Sequence, residues 1–293
     1  MGTKIAYGSC MSCRLTILGS GSSGNCAYVE TGATRLLVDA GLSGRQIEER
    51  LASIGKNAAD LHAILLTHEH GDHVQGLRVL AGRYRIPIYA NQLTRVATLE
   101  GFSNFGNQEK TGMFSWCIFE PGQQFAVGNF DVEAFSVPHD ASDPTGFLIR
   151  CGNRCIAFLT DLGHAPHLVL EKVRQADTLI LETNHDMKLL QEDPHRPWSV
   201  KQRISGRHGH LSNESAAGVL TNIMSDRLRH IYLSHLSQDC NRPELAKATI
   251  QKKLEEMGAS HVRVTMTHQT RPCPTDDLEP LDSVGGLGEA ALG

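Results

Sequence analysis

Short apolar runs, broken by glycine, serine and proline, recur along most of the chain. Residues 14–18, 26–30 and 34–38 read as strands, with the turn Gly19-Ser20-Gly21-Ser22-Ser23-Gly24-Asn25 between the first two. Further strands are predicted at 63–66, 87–90, 124–127, 130–137, 146–150, 155–159, 178–181, 230–233 and 262–266. Helical spacing appears between them. Ile47, Leu51 and Ile54 fall on one face of a helix over 44–54, for which Ser43 is the N-cap. Other helices are predicted over 74–84, 166–175, 213–224 with Ser212 as cap, and 243–257, where Pro243 suits the first position. Residues 91–121 follow neither period.

Length and composition narrow the class. A chain of 293 residues with 40% hydrophobic content can bury a sizeable core in one large domain or two small ones. No repeat, heptad pattern or run of eighteen apolar residues occurs, and the N-terminus lacks the basic-then-apolar order of a signal peptide. A cytoplasmic protein without a membrane partner is expected. The eight cysteines are scattered, so reduced thiols are expected. Cys10-x-x-Cys13 has no second pair at metal-finger spacing and falls in a loose N-terminal extension, residues 1–13. The domain is expected over 14–270, followed by an acidic, Pro- and Gly-rich tail, 271–293, expected to be disordered. That tail holds five of the 32 acids and one of the 28 bases, which leaves the body neutral despite the net charge of −4. Any polyanion must therefore be met by a local patch.

The chemistry concentrates in Thr67-His68-Glu69-His70-Gly71-Asp72-His73, directly after the apolar strand 63–66. Imidazole and carboxylate are ligands that a borderline divalent ion takes without thiolates. In extended chain His68 and His70 can point to one side while Asp72 and His73, at a turn, face elsewhere, so one segment can serve two ions. His139 closes an alternating strand at a proline-marked edge, and Asp161 ends another, which suits further ligands.

His-x-His-x-Asp-His after a buried strand resembles the metallo-β-lactamase signature. The resemblance implies an α/β fold, the metallo-β-lactamase four-layer αβ/βα sandwich, with a binuclear metal site at one edge of its sheets. Carried over residue by residue, it implies His68, His70 and His139 on one ion, Asp72, His73 and His235 on the second, and Asp161 bridging. Asp39, at the end of the strand 34–38, resembles an aspartate that orients the metal loop rather than binding the metal. Two such ions lower the pKa of a bridging water and clamp the attacked oxygen. Asp72 is placed to orient that hydroxide and accept its proton. The site accepts zinc or manganese, with iron as a further candidate.

Five further stretches are similar to one branch of the fold: Leu18-Gly-Ser-Gly-Ser-Ser-Gly-Asn25, Pro138-His-Asp-Ala141, Thr160-Asp-Leu-Gly163, Glu182-Thr-Asn-His-Asp186 and Gly209-His-Leu-Ser-Asn213, with His235-Leu-Ser237 following. They resemble the YycJ (WalJ, VicX) family of bacterial 5′-to-3′ DNA exonucleases. The implied activity is metal-dependent phosphodiester hydrolysis at DNA 5′ ends. The alternative is a small-molecule hydrolase of the same fold, acting on a thioester, lactam or cyclic phosphodiester.

Between Pro194 and Ser212 there is no acid, while Arg196, Lys201, Arg203 and Arg207 are interleaved with Trp198 and three histidines. Cations with an aromatic suit a phosphate backbone and an unstacked base; an ordinary basic loop paired with acids elsewhere reads the same. Trp198 is a core or lid anchor more often than a stacking platform. Arg203, Arg207 and Asn184 are assigned to substrate. Ser22 and Ser23 are assigned there too, although a tight turn needs the same small residues for geometry alone. His185 and His210 remain after the ligands are assigned. Each is a candidate to protonate the departing oxygen or hold the phosphate, and each can instead be structural.

Overall fold

The computed structural model describes residues 12–104 and 114–278. Its first sheet contains β1 (Cys13–Gly19), β2 (Cys26–Glu30), β3 (Arg35–Val38), β4 (Ala63–Leu65), β5 (Ile88–Ala90) and β6 (Trp116–Ile118). The second contains β7 (Gln124–Val127), β8 (Phe130–Ser136), β9 (Thr145–Cys151), β10 (Arg154–Leu159), β11 (Thr178–Glu182), β12 (His230–Ser234) and β13 (Arg263–Met266). A last strand, β14 (Asp276–Leu278), returns to pair antiparallel with β1, so the sheet orders are β14-β1-β2-β3-β4-β5-β6 and β13-β12-β11-β10-β9-β8-β7. In each sheet hairpin-linked antiparallel strands give way to parallel ones, beginning at β3·β4 and at β10·β11.

Four layers follow from the alternation of side chains along these strands. Ala63 and Leu65 of β4 face the second sheet, joining Leu15, Phe130, Phe147 and Ile180 in a core between the sheets. Ile64 faces the other way, onto Ile47 and Leu51 of α1 (Gly44–Ser53) and onto Leu77 and Leu80. In the second sheet Leu179 and Leu181 turn outward onto α5 (His167–Val173), α8 (Asn213–Ile223) and α9 (Pro243–Glu256). Helices thus cover both outer faces. Truncating one of these leucines to alanine is expected to cost about 2–5 kcal/mol. Among the described residues no helix is long and apolar enough to cross a membrane.

The predicted caps form. Ser43 accepts from Gln46 N while the Gln46 side chain accepts from Ser43 N, and Ser212 Oγ accepts from Ser215 N at 3.1 Å. Several boundaries differ from expectation. The helix predicted over 74–84 is two pieces, α2 (Gly71–Val74) and α3 (Leu77–Tyr84), so helical structure begins inside the metal loop. The aperiodic stretch holds α4 (Gln92–Asn104) and β6. The first turn of α4 is held by Asn91 Oδ1, which accepts from Thr94 N at 2.8 Å, and its buried face includes Thr94 and Thr98, which hid it from hydrophobic periodicity. Two short helices, α6 (Met187–Glu192) and α7 (Trp198–Ile204), occupy the stretch before Ser212.

The domain limits also move. Cys13 is fully buried in β1, and the expected tail is structured as far as Leu278. Asp276 binds Arg263 and His230, and Asp277 binds Arg14, so acids of the tail expected to be disordered form the edge strand instead. Cys10 with residues 1–11, and the tail from residue 279, lie outside the described residues.

Candidate metal centre

Loops that follow strand ends in both sheets meet at one edge of the sandwich. Three of them turn on a residue with left-handed backbone: Asp39 after β3 (φ 60°), Asp161 after β10 (φ 59°) and His235 after β12 (φ 56°). Asp and His tolerate that region better than most side chains, and non-glycine residues held there cluster at functional sites. Close backbone approach completes the frame. A Cβ on Gly41 would lie 1.6 Å from Asp72 O, so only glycine lets the loop after β3 pass under the metal loop. A Cβ on Gly163 would lie 2.2 Å from Gly206 O.

The metal loop is held from below. Asp39 accepts from Thr67 N at 2.9 Å and from His73 Nδ1 at 2.8 Å, which fixes the proton on Nδ1 and turns His73 Nε2 into the site. Asn25, from the glycine-serine turn, donates its backbone N–H to Asp72 O at 2.8 Å, and its side chain reaches Asp72 Oδ2 at 3.3 Å. Ser20 Oγ accepts from His235 N at 2.8 Å. Part of that turn is therefore a latch for the metal loop and for His235.

All seven expected ligands converge. The donor atoms of His68, His70 and His139 lie within 4.8 Å of one another, as do those of Asp72, His73 and His235. Asp161 touches both groups: its Oδ2 is 3.4 Å from His73 Nε2, and its Oδ1 is 3.3 Å from His235 Nε2 and 3.9 Å from His139 Nε2. His139 Nδ1 donates to Gly209 O at 3.0 Å, leaving Nε2 to face the site. His68 Nε2, His139 Nε2 and Asp161 Oδ2 are buried with no hydrogen-bond partner among the described residues. Orphaned acceptors aimed at a common point fit divalent cations, which satisfy them at once. Without a cation, burial opposes charge on His68 and pushes its pKa well below the usual histidine value. Burial also opposes charge on His73 and His235, but Asp161 and the neighbouring carboxylates outweigh it and raise both.

Glu182, the last residue of β11, was not singled out from sequence. It is completely buried, and four donors reach it: His210 Nδ1 at 2.7 Å and His235 Nδ1 at 3.0 Å on one oxygen, Leu162 N at 3.1 Å and Leu211 N at 3.2 Å on the other. Burial raises its pKa, but the charge of His210 and the two imidazole hydrogen bonds prevail and hold it down at about 2. The available signal was an acid closing an otherwise apolar strand, inside a motif already noted.

The remaining expected residues divide. His210 lies in the site, its ring centroid 5.0 Å from that of His139 and 5.1 Å from that of His235. Burial opposes its protonation, Glu182 outweighs this, and its pKa is raised. Ser22, Asn184, Arg203 and His210 line a cleft of about 220 Å³ over the ligands. Ser23 is exposed and lines an adjoining cleft of about 570 Å³, which shares Ser22 and Asp72 with the first. Arg207 is not among the residues lining either cleft; its guanidinium lies 3.3 Å from His164 Nε2. Arg203 pairs with Asp140, so the basic stretch is partly paired with acids. His185 does not line the cleft: it is 1% exposed, and burial lowers its pKa to about 4.

Comparison with known proteins bears on the family of the chain. Residues 34–235 match the Beta-lactamase superfamily domain. The chain is 38% identical over 262 residues to Exodeoxyribonuclease YycJ of Bacillus anthracis, covering 89% of this chain and 97% of that protein. It is 40% identical over 243 residues to Exodeoxyribonuclease WalJ of Streptococcus pneumoniae, covering 83% and 88%. Among solved structures, the metallo-β-lactamase fold protein YhfI from Bacillus subtilis superposes with a TM-score of 0.65 at 17% identity, covering 89% of this chain and 99% of the other.

Proposed function

Because the chain belongs to the YycJ/WalJ exodeoxyribonucleases of the β-lactamase superfamily, we propose that it hydrolyses DNA phosphodiesters from the 5′ end with two divalent ions. The observation that carries this reading is the convergence of seven nitrogen and oxygen donors, from loops of both sheets, on the floor of an open cleft. His68, His70 and His139 would hold one ion, Asp72, His73 and His235 the other, with Asp161 between them. Such a pair would supply a water activated near neutral pH and positive charge beside the attacked phosphoryl oxygens; zinc, manganese and iron all suit imidazole and carboxylate.

The chain's own residues supply the rest. Asp72, lowered well below the usual carboxylate range because His73 and His235 outweigh its burial, stays ionised to orient the nucleophile and take its proton. His210, whose protonated form Glu182 favours, lines the cleft as the proton donor to the departing 3′ oxygen. Ser22 presents a hydroxyl to the phosphate and Arg203 faces its charge, while Asn184, whose amide donates to His235 O at 2.9 Å, lines the cleft beside them. No catalytic part is given to His185, whose side chain has no access to the cleft.

The test is a long duplex, phosphorylated at its 5′ end and labelled at its 3′ end, incubated with metal-loaded wild type and with Asp72→Asn. Progressive shortening from the 5′ end by wild type alone is expected. An unchanged ladder with Mn²⁺ and with Zn²⁺, alongside turnover of a small ester or cyclic phosphodiester, would replace this reading by the small-molecule one.

A further inference from the structure

Helix α7 has no buried residue. Helices in proteins owe most of their stability to an apolar face packed on the core, and α7 has no such face: Trp198 is 65% exposed and Val200 37%. Polar contacts at its margins hold it instead. Arg196 pairs with Asp193 and, at 2.8 Å, with Asp239; Lys201 Nζ donates to Gln191 O at 2.7 Å; Arg203 pairs with Asp140. Just beyond the helix, the backbone of Gly206 and Arg207 lies against Gly163 in the loop that carries Asp161. The helix is therefore set beside the metal centre, with Arg203 and Ile204 in the cleft wall. Trp198 stands about 8 Å further along the helix axis.

The surroundings of the indole indicate what covers it. Ser199, Lys201 and Gln202 flank it, so it is one large ring among polar and cationic groups rather than part of a wide apolar patch of the kind two protein copies would bury. No acid lies between Pro194 and Ser212, and Arg203 and Arg207 are exposed on the same segment. An aromatic ring on a cation-bearing helix that also contributes Arg203 to the cleft wall suits single-stranded nucleic acid, whose bases stack while its phosphates meet the charges.

We propose that α7 is a DNA-docking element on which Trp198 stacks against a nucleobase of the strand entering the cleft, with the adjacent phosphates against Arg203 and Arg207. This rests on the exonuclease reading above.

The chain has two tryptophans, Trp116 and Trp198, so a Trp116→Phe background makes Trp198 the sole indole. Metal-loaded protein is titrated with a single-stranded oligodeoxynucleotide protected by phosphorothioate linkages, and with one of equal length whose 5′ segment is abasic. Quenching of Trp198 fluorescence by the base-bearing strand, and not by the abasic one, is expected. Trp198→Ala should weaken binding of the base-bearing strand about tenfold, leave abasic and base-bearing strands equally bound, and unfold at the wild-type temperature; Trp198→Phe should restore most of the affinity. Equal quenching by both strands, or wild-type affinity in Trp198→Ala, overturns the proposal. So does a shift in oligomeric state on Trp198→Ala with DNA affinity unchanged, which would assign the face to a contact between copies. A wild type that degrades DNA while Trp198 is indifferent loses this inference alone; a wild type that neither binds nor degrades DNA loses the exonuclease reading with it.

Discussion

The site depends on carboxylates that touch no cleft surface. Asp39 and Glu182 each accept the Nδ1 proton of a histidine whose Nε2 faces the ligand cluster, so they set both tautomer and ring orientation. Glu182 also holds His210. Glu182→Gln keeps the shape but removes the charge that holds two imidazole protons in place. It is expected to lower metal affinity at the His235 side, or exonuclease rate, by roughly 10- to 100-fold, measured by metal content after dialysis alongside turnover. Retention of full metal and rate would show that hydrogen bonding without charge suffices. Gly41 makes the opposite point, since its role is the absence of a side chain. Gly41→Ala, with a Cβ 1.6 Å from Asp72 O, should destabilise the fold by about 2 kcal/mol or more and displace the metal loop. Chemical denaturation and metal content, measured together, separate the two effects.

At the scale of elements, sequence periodicity succeeded where a face is apolar and failed where it is not. Most strands and the helices α1, α8 and α9 were legible because aliphatic residues recur at the expected spacing on their buried faces. Helix α4 buries threonines, α7 buries nothing, and β14 is two aspartates and a leucine, so none carries a hydrophobic period. Strand β14 is held by charge: burial raises the pKa of Asp276, but hydrogen bonds from His230 and Arg263 prevail and bring it to about 2. A folded pKa below the unfolded value of 3.8 means that Asp276 contributes stability above about pH 4, which is lost as pH falls towards 2. Asp276→Asn should therefore cost roughly 1–2 kcal/mol at pH 7, after allowance for solvent screening, and much less at pH 2.5. Urea unfolding of both proteins with chelator present keeps metal release out of the comparison, and a pH-independent difference would remove the ion pair as the cause.

For the whole molecule, the candidate metal centre draws its donors from loops of both sheets, so occupancy there would be coupled to folding. Metal bound by groups from both sheets would stabilise the native state in proportion to ln(1 + [L]/Kd), about 4 kcal/mol at a thousandfold excess over Kd. Chelation should lower the melting temperature by roughly 10 °C, readily seen by scanning calorimetry. Asp161→Ala, which removes the residue touching both ligand groups, should shrink that difference; an unchanged difference would mean that Asp161 is not shared.

By itself the sequence determined most strands and helices, because alternation and helical spacing are local patterns. It also carried a seven-residue cluster of imidazole and carboxylate and five further motifs, whose resemblance to known families implied the four-layer sandwich and the kinship to exodeoxyribonucleases. Only the tertiary structure decided which polar groups meet. Glu182 and His210 are separated along the chain, as are Asn25 and Asp72, and Asp276 and Arg263, and no local period encodes their pairing. It likewise buried His185 and exposed Trp198, because burial depends on what the rest of the chain packs against each side chain.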